Sequence, residues 1–178
     1  QKMDQVFIHG FLDGRDVPPQ SALDYIKDLE HKMRELGVGR IATLGGRYYG
    51  MDRDNRWERI EKAYNALVMG EGPRFGSPVA AVQASYAAGV TDEFMEPAVL
   101  EDSAGTALAR LADGDCLIFF NFRADRARQI CHSLLDEEMT KFKRRCRPSL
   151  HLVCMTQYDA ELDAPVAFMP QNLDNTLG

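Results

Sequence analysis

"RIATLGGRYYGMDRDNRWERIEKAYNALVM", residues 40 to 69, decides the fold class. It opens on "RIATL" (40–44), a short β-prone run that reads as a strand. A loop rich in glycine and arginine follows. The rest is amphipathic, with Trp57, Ile60, Tyr64, Leu67 and Val68 on one side, which predicts a helix to about Met69. Asp54 is placed to cap it. Strand, loop and helix in succession are the repeating part of a βα unit.

The same alternation runs outward in both directions. Upstream, "VFIH" (6–9) reads as a strand, "GFLDGRDVPPQ" as a loop, and "SALDYIKDLEHKMRELG" as a helix. The apolar residues of that helix, Ala22, Ile26, Leu29, Met33 and Leu36, recur at helical spacing, and Gly37 stops it. Downstream, "PVAAVQASYAAG" (78–89) predicts a helix of small residues, "PAVL" (97–100) a short strand and "GTALARLADG" a short helix. "CLIFFNF" (116–122) is a continuous apolar run of the buried-strand kind. "ADRARQICHSLLD" (124–136) is a helix, "KFKRRCRP" a basic turn with a solvated character, and "LHLVCMT" (150–156) a last strand. Strands alternating with helices predict an α/β domain, a largely parallel sheet flanked by helices. At 178 residues the chain suits a single domain.

Composition narrows the function. Hydrophobic residues make up 45 % and charged residues 27 %, which suits an ordinary packed core. No apolar run nears the roughly 20 residues of a membrane helix. No secretory signal is visible, and both ends read as cut from something longer. The net charge of −6 argues against general nucleic-acid binding. Cys116, Cys131, Cys146 and Cys154 lack C-x-x-C spacing, and Cys116 and Cys154 read as small core residues. His9, His31, His132 and His151 lack metal-ligand spacing. These features suit a reducing cytoplasm.

The positive charge is 15 Arg against 6 Lys, and arginine is the residue that grips planar anions with a fork. Three of the predicted strands are followed by arginine loops. "LDGRD" holds Asp13, Arg15 and Asp16; "GGRYYGMDRD" holds Arg47 and Arg53; "RADR" holds Arg123 and Arg126. In a parallel sheet such loops emerge together at the carboxyl edge, where ligands bind in open α/β folds. Five arginines converging there would repel one another unless an anion lay between them. Exposed helix N–H groups would join the guanidinium forks in holding it. The aspartates can orient the arginines or accept from ligand hydroxyls, so the expected ligand is an anionic, hydroxylated small molecule. Taken singly, "DGRD" reads equally as a turn with a local ion pair, and "RADRAR" as a solvated helix face. Tyr48, Tyr49 and Trp57 read as packing. His9, at a strand end beside the rim, reads as a structural residue before an acid or base. No nucleophile elbow, Walker loop or dinucleotide fingerprint is present.

"HGFLDGRDVPP", "GRYYGMDRDNRWERIEKAYNAL" and "FFNFRADRARQI", in this order, closely resemble the cofactor-independent phosphoglycerate mutases. The match is to their inserted phosphotransferase, or substrate-binding, domain, and it extends through "MTQYD" to the closing "NTLG". The resemblance implies interconversion of 3-phosphoglycerate and 2-phosphoglycerate in glycolysis and gluconeogenesis, through a phosphoserine intermediate. Arg15, Asp16, Arg47, Arg53, Arg123 and Arg126 match the family's substrate-binding positions. The resemblance also implies that residues 1–178 are one part of a two-domain, monomeric enzyme. Its phosphatase domain, with the nucleophilic serine and two manganese ions, would lie outside this chain, as would a "GGVHSH"-like segment with a substrate-binding histidine. No catalytic residue and no metal ligand is then expected here, and the fragment alone is expected to be inactive. Gly50 stands where many members have Ala. The other readings are a stand-alone binding module for anionic sugar or hydroxy-acid phosphates, and an RNA-binding protein, which the acidic net charge opposes.

Overall fold

The computed structural model describes residues 3–170. The closing "NTLG" falls outside them. The elements in chain order are β1 (Phe7–Leu12), α1 (Ala22–Leu36), β2 (Arg40–Gly46), the single turn α2 (Arg47–Gly50), α3 (Trp57–Tyr64), β3 (Arg74–Phe75), α4 (Pro78–Ala87), β4 (Ala98–Leu100), β5 (Cys116–Phe119), α5 (Ala124–Leu135) and β6 (His151–Cys154). A π-turn, Asn65–Met69, extends α3, and a 3₁₀ turn, Asp92–Phe94, precedes β4.

The strands form two sheets. Four are ordered β1-β2-β4-β3, and β5 and β6 make a separate pair. Three of the four pairings are parallel; β2 with β4 is antiparallel. The α/β class and the mainly parallel pairing are as the alternation of elements predicts. The expectation of one sheet changes: β5 does not pair with β1.

Two apolar cores lie under these sheets. One joins α1 and α4 to the larger sheet through Ile26, Ile41, Leu44, Val82 and Leu100. The other joins α3 and α5 to the smaller sheet through Ile60, Tyr64, Ile130, Leu134 and Leu152. Phe11 of β1 packs against this second core and so ties the two halves together. The helical spacing of α1 buries Ala22 and Ile26 as predicted, but Leu36, in the last turn, stays 61 % exposed. Gly37 ends the helix in the left-handed conformation at φ 67°, and Val38 N–H donates to the Met33 carbonyl at 3.2 Å.

Three local expectations are corrected. Residues 105–114 form no helix. Their amides are taken by neighbours: Leu108 N–H donates to Leu100 O at 2.8 Å and Leu111 N–H to Leu67 O at 2.9 Å. These ties lace the segment along β4 and the end of α3. Asp54 does not cap α3. Asp52 closes the turn, its Oδ2 accepting from the amides of Asp54 and Arg56 at 3.0 Å each, while Oδ1 accepts from Arg59 at 3.2 Å. The basic turn is solvated as expected, with Lys141, Lys143, Arg145 and Arg147 exposed, but two of its arginines also have backbone partners. Arg144 donates to the carbonyls of Ser133 and Glu137, and Arg147 to that of Leu135, so cations satisfy carbonyls at the C-terminal end of α5. Finally, "CLIFFNF" is strand only over its first four residues and is packed on one face. Cys116 is exposed, as are Ile118 (65 %) and Phe120 (79 %).

The helix α1 has a cap that its own sequence does not supply. The Ser21 side chain makes no cap bond. Instead Asp92, 1 % exposed, accepts through Oδ2 from Ser21 N–H at 2.8 Å and Ala22 N–H at 2.9 Å, and through Oδ1 from the Tyr86 hydroxyl. The 92–95 segment is thereby pinned against the ligand-side loops. Gly46 N–H donates to Met95 O at 2.8 Å, and a Cβ on Gly46 would sit 2.1 Å from Glu93 O. Only glycine permits that approach. Gly14, at φ 65°, likewise leaves no room for a Cβ, which would lie 2.7 Å from Asp92 Cβ. A Cβ on Gly50 would meet the Phe11 ring at 2.5 Å, so an Ala there requires the ring to move.

Candidate functional site

The carboxyl ends of β1, β2 and β5 meet at one rim even though β5 belongs to the second sheet. A cleft of about 820 Å³ lies between the β1 and β5 sides. Asp13, Asp16, Arg47, Asn121 and Arg123 are among the residues lining it.

Arg47 is the most enclosed cation among the described residues, 4 % exposed. It sits at the junction of β2 and α2, and its Nη1 donates to Asp13 Oδ1 at 2.6 Å and to Asp16 Oδ2 at 2.7 Å. Burial alone would lower the Arg47 pKa; the hydrogen bonds to Asp16 and Asp13 outweigh it and raise the pKa. Burial would raise that of Asp13, but bonding to Arg47 and the local amides takes it below the usual carboxylate range. This trio joins the first arginine loop to the second.

Arg53 joins the second loop to the third. Its Nη1 donates to Asp125 Oδ2 at 2.6 Å, while Arg123 Nε donates to Asp125 Oδ1 at 2.8 Å. One carboxylate in the first turn of α5 therefore holds two guanidinium groups from segments 70 residues apart. Burial would raise the Asp125 pKa, but the two arginines depress it.

Among the described residues no carboxylate pairs with Arg126. Its Nη1 donates to Met51 O at 3.1 Å, and its buried Nε has no hydrogen-bond partner. Burial, and then the positive charges of Arg53, Arg47 and Arg123, lower its pKa. A buried guanidinium N–H without an acceptor costs about 1–3 kcal/mol. An anion placed here would satisfy that N–H and offset the repulsion among the arginines at once.

The structure therefore brings Arg47, Arg53, Arg123 and Arg126 together, with Asp16 beside Arg47. Arg15 stands apart: its side chain is 63 % exposed and bonds to Glu93 at 3.2 Å. Asp125 and Glu93 are the partners that sequence reading overlooked. Asp125 lies within "RADR", where an acidic residue two positions from Arg123 was a visible signal. Glu93 carries no local signal. Tyr48 and Tyr49 meet edge to face, with Tyr48 also beside Phe94 and beneath Arg59, so they are packing residues as expected. His9 bonds through Nδ1 to Thr43 Oγ1 at 2.9 Å, and burial lowers its pKa to about 4, with Asp115 opposing. It is neutral near pH 7. Among the described residues no group of three or more His, Cys, Asp or Glu is arranged to hold a metal ion.

Comparison with known proteins gives the family. The family model described as the BPG-independent PGAM N-terminus matches residues 1–160. A 2,3-bisphosphoglycerate-independent phosphoglycerate mutase of Moorella thermoacetica is 52 % identical over 177 residues, 99 % of this chain and 34 % of its own length. That of Desulforudis audaxviator is 53 % identical over 180 residues, 99 % of this chain and 35 % of its own. The crystal structure of Leishmania mexicana phosphoglycerate mutase at low cobalt concentration superposes with a TM-score of 0.85 at 31 % identity, over 92 % of this chain and 32 % of that one. The chain thus spans about a third of the length of the curated relatives it matches. It belongs to the 2,3-bisphosphoglycerate-independent phosphoglycerate mutase family, matching its N-terminal family model.

Proposed function

We propose that residues 1–178 are the substrate-binding domain of a phosphoglycerate mutase that interconverts 3-phosphoglycerate and 2-phosphoglycerate, a glycolytic isomerase. The observation that carries this is the unsatisfied Nε of Arg126 inside a ring of three further arginines. Such a ring suits a ligand with two anionic groups. In this reading Arg53, Arg123 and Arg126 hold the phosphate or carboxylate as forks, and Arg47 adds its field from behind Asp13 and Asp16. Asp16, with one oxygen committed to Arg47, accepts from a glycerate hydroxyl through the other. Arg15 is recruited by leaving Glu93 for the ligand.

The domain's contribution is retention. A glycerate held in the cleft while its phosphoryl group is elsewhere is presented again as an effectively intramolecular acceptor. In this reading the rim closes over the bound glycerate and keeps water from that phosphoryl group. The nucleophilic serine belongs, in this reading, to a phosphatase domain of the same polypeptide outside residues 1–178. The two manganese ions implied by the family belong there as well. The described residues offer them no ligand set.

The full-length protein is read as a cytoplasmic monomer that binds neither nucleic acid nor membrane. No helix among the described residues is long and apolar enough to cross a membrane. Arg144 and Arg147 of the basic run are engaged with backbone carbonyls, which leaves little of it to meet RNA. The threefold greater length of the relatives favours a part of a larger enzyme over a stand-alone module. Turnover of 3-phosphoglycerate by the longer polypeptide, and none above a blank by residues 1–178, is the expected result. Turnover by residues 1–178 alone contradicts the reading.

A further inference from the structure

Four of the rim arginines take their partners from the rim itself. Arg47 bonds to Asp13 and Asp16, Arg53 and Arg123 to Asp125, and Arg126 to the Met51 carbonyl. Arg15 differs. Its Nη1 donates to Glu93 Oε1 at 3.2 Å, and Glu93 belongs to the 3₁₀ turn Asp92–Phe94, outside the three arginine loops. Neither Arg15 nor Glu93 lines the cleft. The ion pair holds the fifth guanidinium out of the place where the other four gather.

The two partners are not equally free. Side-chain exposure is 15 % for Glu93 and 63 % for Arg15. The Glu93 backbone is wedged between two of the arginine loops: a Cβ on Gly46 would lie 2.1 Å from its carbonyl oxygen, and a Cβ on Gly14 would lie 2.8 Å from its amide nitrogen. Its neighbours are tied down as well, Asp92 N–H donating to Pro19 O at 3.0 Å and Phe94 N–H to Thr91 O at 3.1 Å. Arg15 is held at its backbone, where its N–H donates to Asp13 Oδ1 at 3.1 Å. The mobile part is the Arg15 side chain, set between a fixed carboxylate and the cleft.

We propose that Glu93 is a positioning residue that competes with the ligand for Arg15 and so sets how tightly the rim holds a phosphoglycerate. The inference rests on reading the rim as the phosphoglycerate site. An anion in the cleft gains the fifth guanidinium only by taking it from Glu93. Its apparent affinity is therefore reduced by the fraction of molecules in which Arg15 is free. When the anion leaves, Glu93 takes the guanidinium back, so release strands no unpaired arginine. An ion pair with one partner in solvent shifts such a balance by about two- to fivefold. That is enough to tune affinity without closing the site to its ligand.

Steady-state kinetics on the longer polypeptide tests it, with Glu93→Gln, Arg15→Gln and the double variant. Glu93→Gln keeps the size and removes the charge, so KM for 3-phosphoglycerate should fall about two- to fivefold while kcat changes less. Glu93→Asp, which withdraws the carboxylate by one methylene, should lie between Glu93→Gln and the wild type. In the Arg15→Gln background Glu93→Gln should lower KM no further, because the competition needs both partners. A higher KM for Glu93→Gln overturns the proposal, since Glu93 would then be aiming Arg15 at the ligand. So does an unchanged KM, or an equal fall with and without Arg15, which marks a general field effect. A wild-type polypeptide that neither binds nor turns over 3-phosphoglycerate contradicts the reading of the site itself. A wild type that turns it over, with KM indifferent to Glu93→Gln, contradicts this inference alone.

Discussion

Arg53 Nη1 lies 2.6 Å from Asp125 Oδ2, across 72 positions of sequence. The same carboxylate takes Arg123 Nε at 2.8 Å. Asp125 is thus the hinge pin between the loop after β2 and the loop after β5, and it aims two guanidinium groups with their remaining N–H edges free. Replacing it by Asn keeps the size and removes the charge that aligns both. In the full-length enzyme, Asp125→Asn should raise KM for 3-phosphoglycerate about tenfold, the worth of one hydrogen bond to a charged group, and change kcat less. Asp125→Glu should recover part of the loss. Steady-state kinetics on the three proteins checks this.

Arg126 should show binding and stability moving in opposite directions. Its Nε is buried without an acceptor and its charge is opposed by three arginines. Arg126→Gln relieves that repulsion, so thermal unfolding of the ligand-free protein should be unchanged or later. Turnover should fall by about 10²–10³ in kcat/KM, the usual effect of removing a preorganised donor from a reacting anion. A variant that melts much earlier contradicts the view that this residue is held for a ligand.

Gly46 sits where backbone meets backbone. A Cβ there would lie 2.1 Å from Glu93 O, so Gly46→Ala must push apart the β2–α2 junction and the 92–95 segment. The expected cost is about 1–3 kcal/mol of stability. Because Arg47 follows directly, ligand affinity should fall too. Chemical denaturation and titration calorimetry report the two effects.

Asp92 organises three donors from a fully enclosed position. Asp92→Ala leaves two amides at the start of α1 and the Tyr86 hydroxyl unpaired, and should destabilise by about 3 kcal/mol. Tyr86→Phe removes one donor and should cost about 1 kcal/mol. Denaturant midpoints for the two variants order them.

His9 sets a pH window. Its folded pKa, lowered to about 4 by burial, lies below the ordinary 6.5. Between these values the unfolded chain binds the proton and the folded one does not, so stability is full above about pH 6.5 and declines toward pH 4. The loss attributable to this group is on the order of 3 kcal/mol. His9→Gln should flatten that part of the profile; an unchanged slope would show that the residue titrates normally.

The fold class was legible because α1 and α3 carry their own apolar stripes, as in Ile26 and Ile60, and α1 ends at its own glycine, Gly37. The arginine rim was legible because its members follow strands, and strand ends share an edge. What stayed hidden depended on partners distant in sequence. Asp92 caps a helix 70 residues upstream, and Glu93 takes Arg15 away from the cluster. The apolar "CLIFFNF" announced a strand buried on both faces, yet its outer face and one edge are open here. The helix expected at 105–114 failed because partners distant in sequence, β4 and the end of α3, claim its amides.

The most direct measurement is a crystal structure of the longer polypeptide with 3-phosphoglycerate. The account predicts that one anionic group of the ligand accepts from Arg126 Nε, with Arg53 and Arg123 beside it and Arg15 turned away from Glu93. A ligand bound elsewhere, with Arg126 Nε still unpaired and Arg15 still on Glu93, would contradict it.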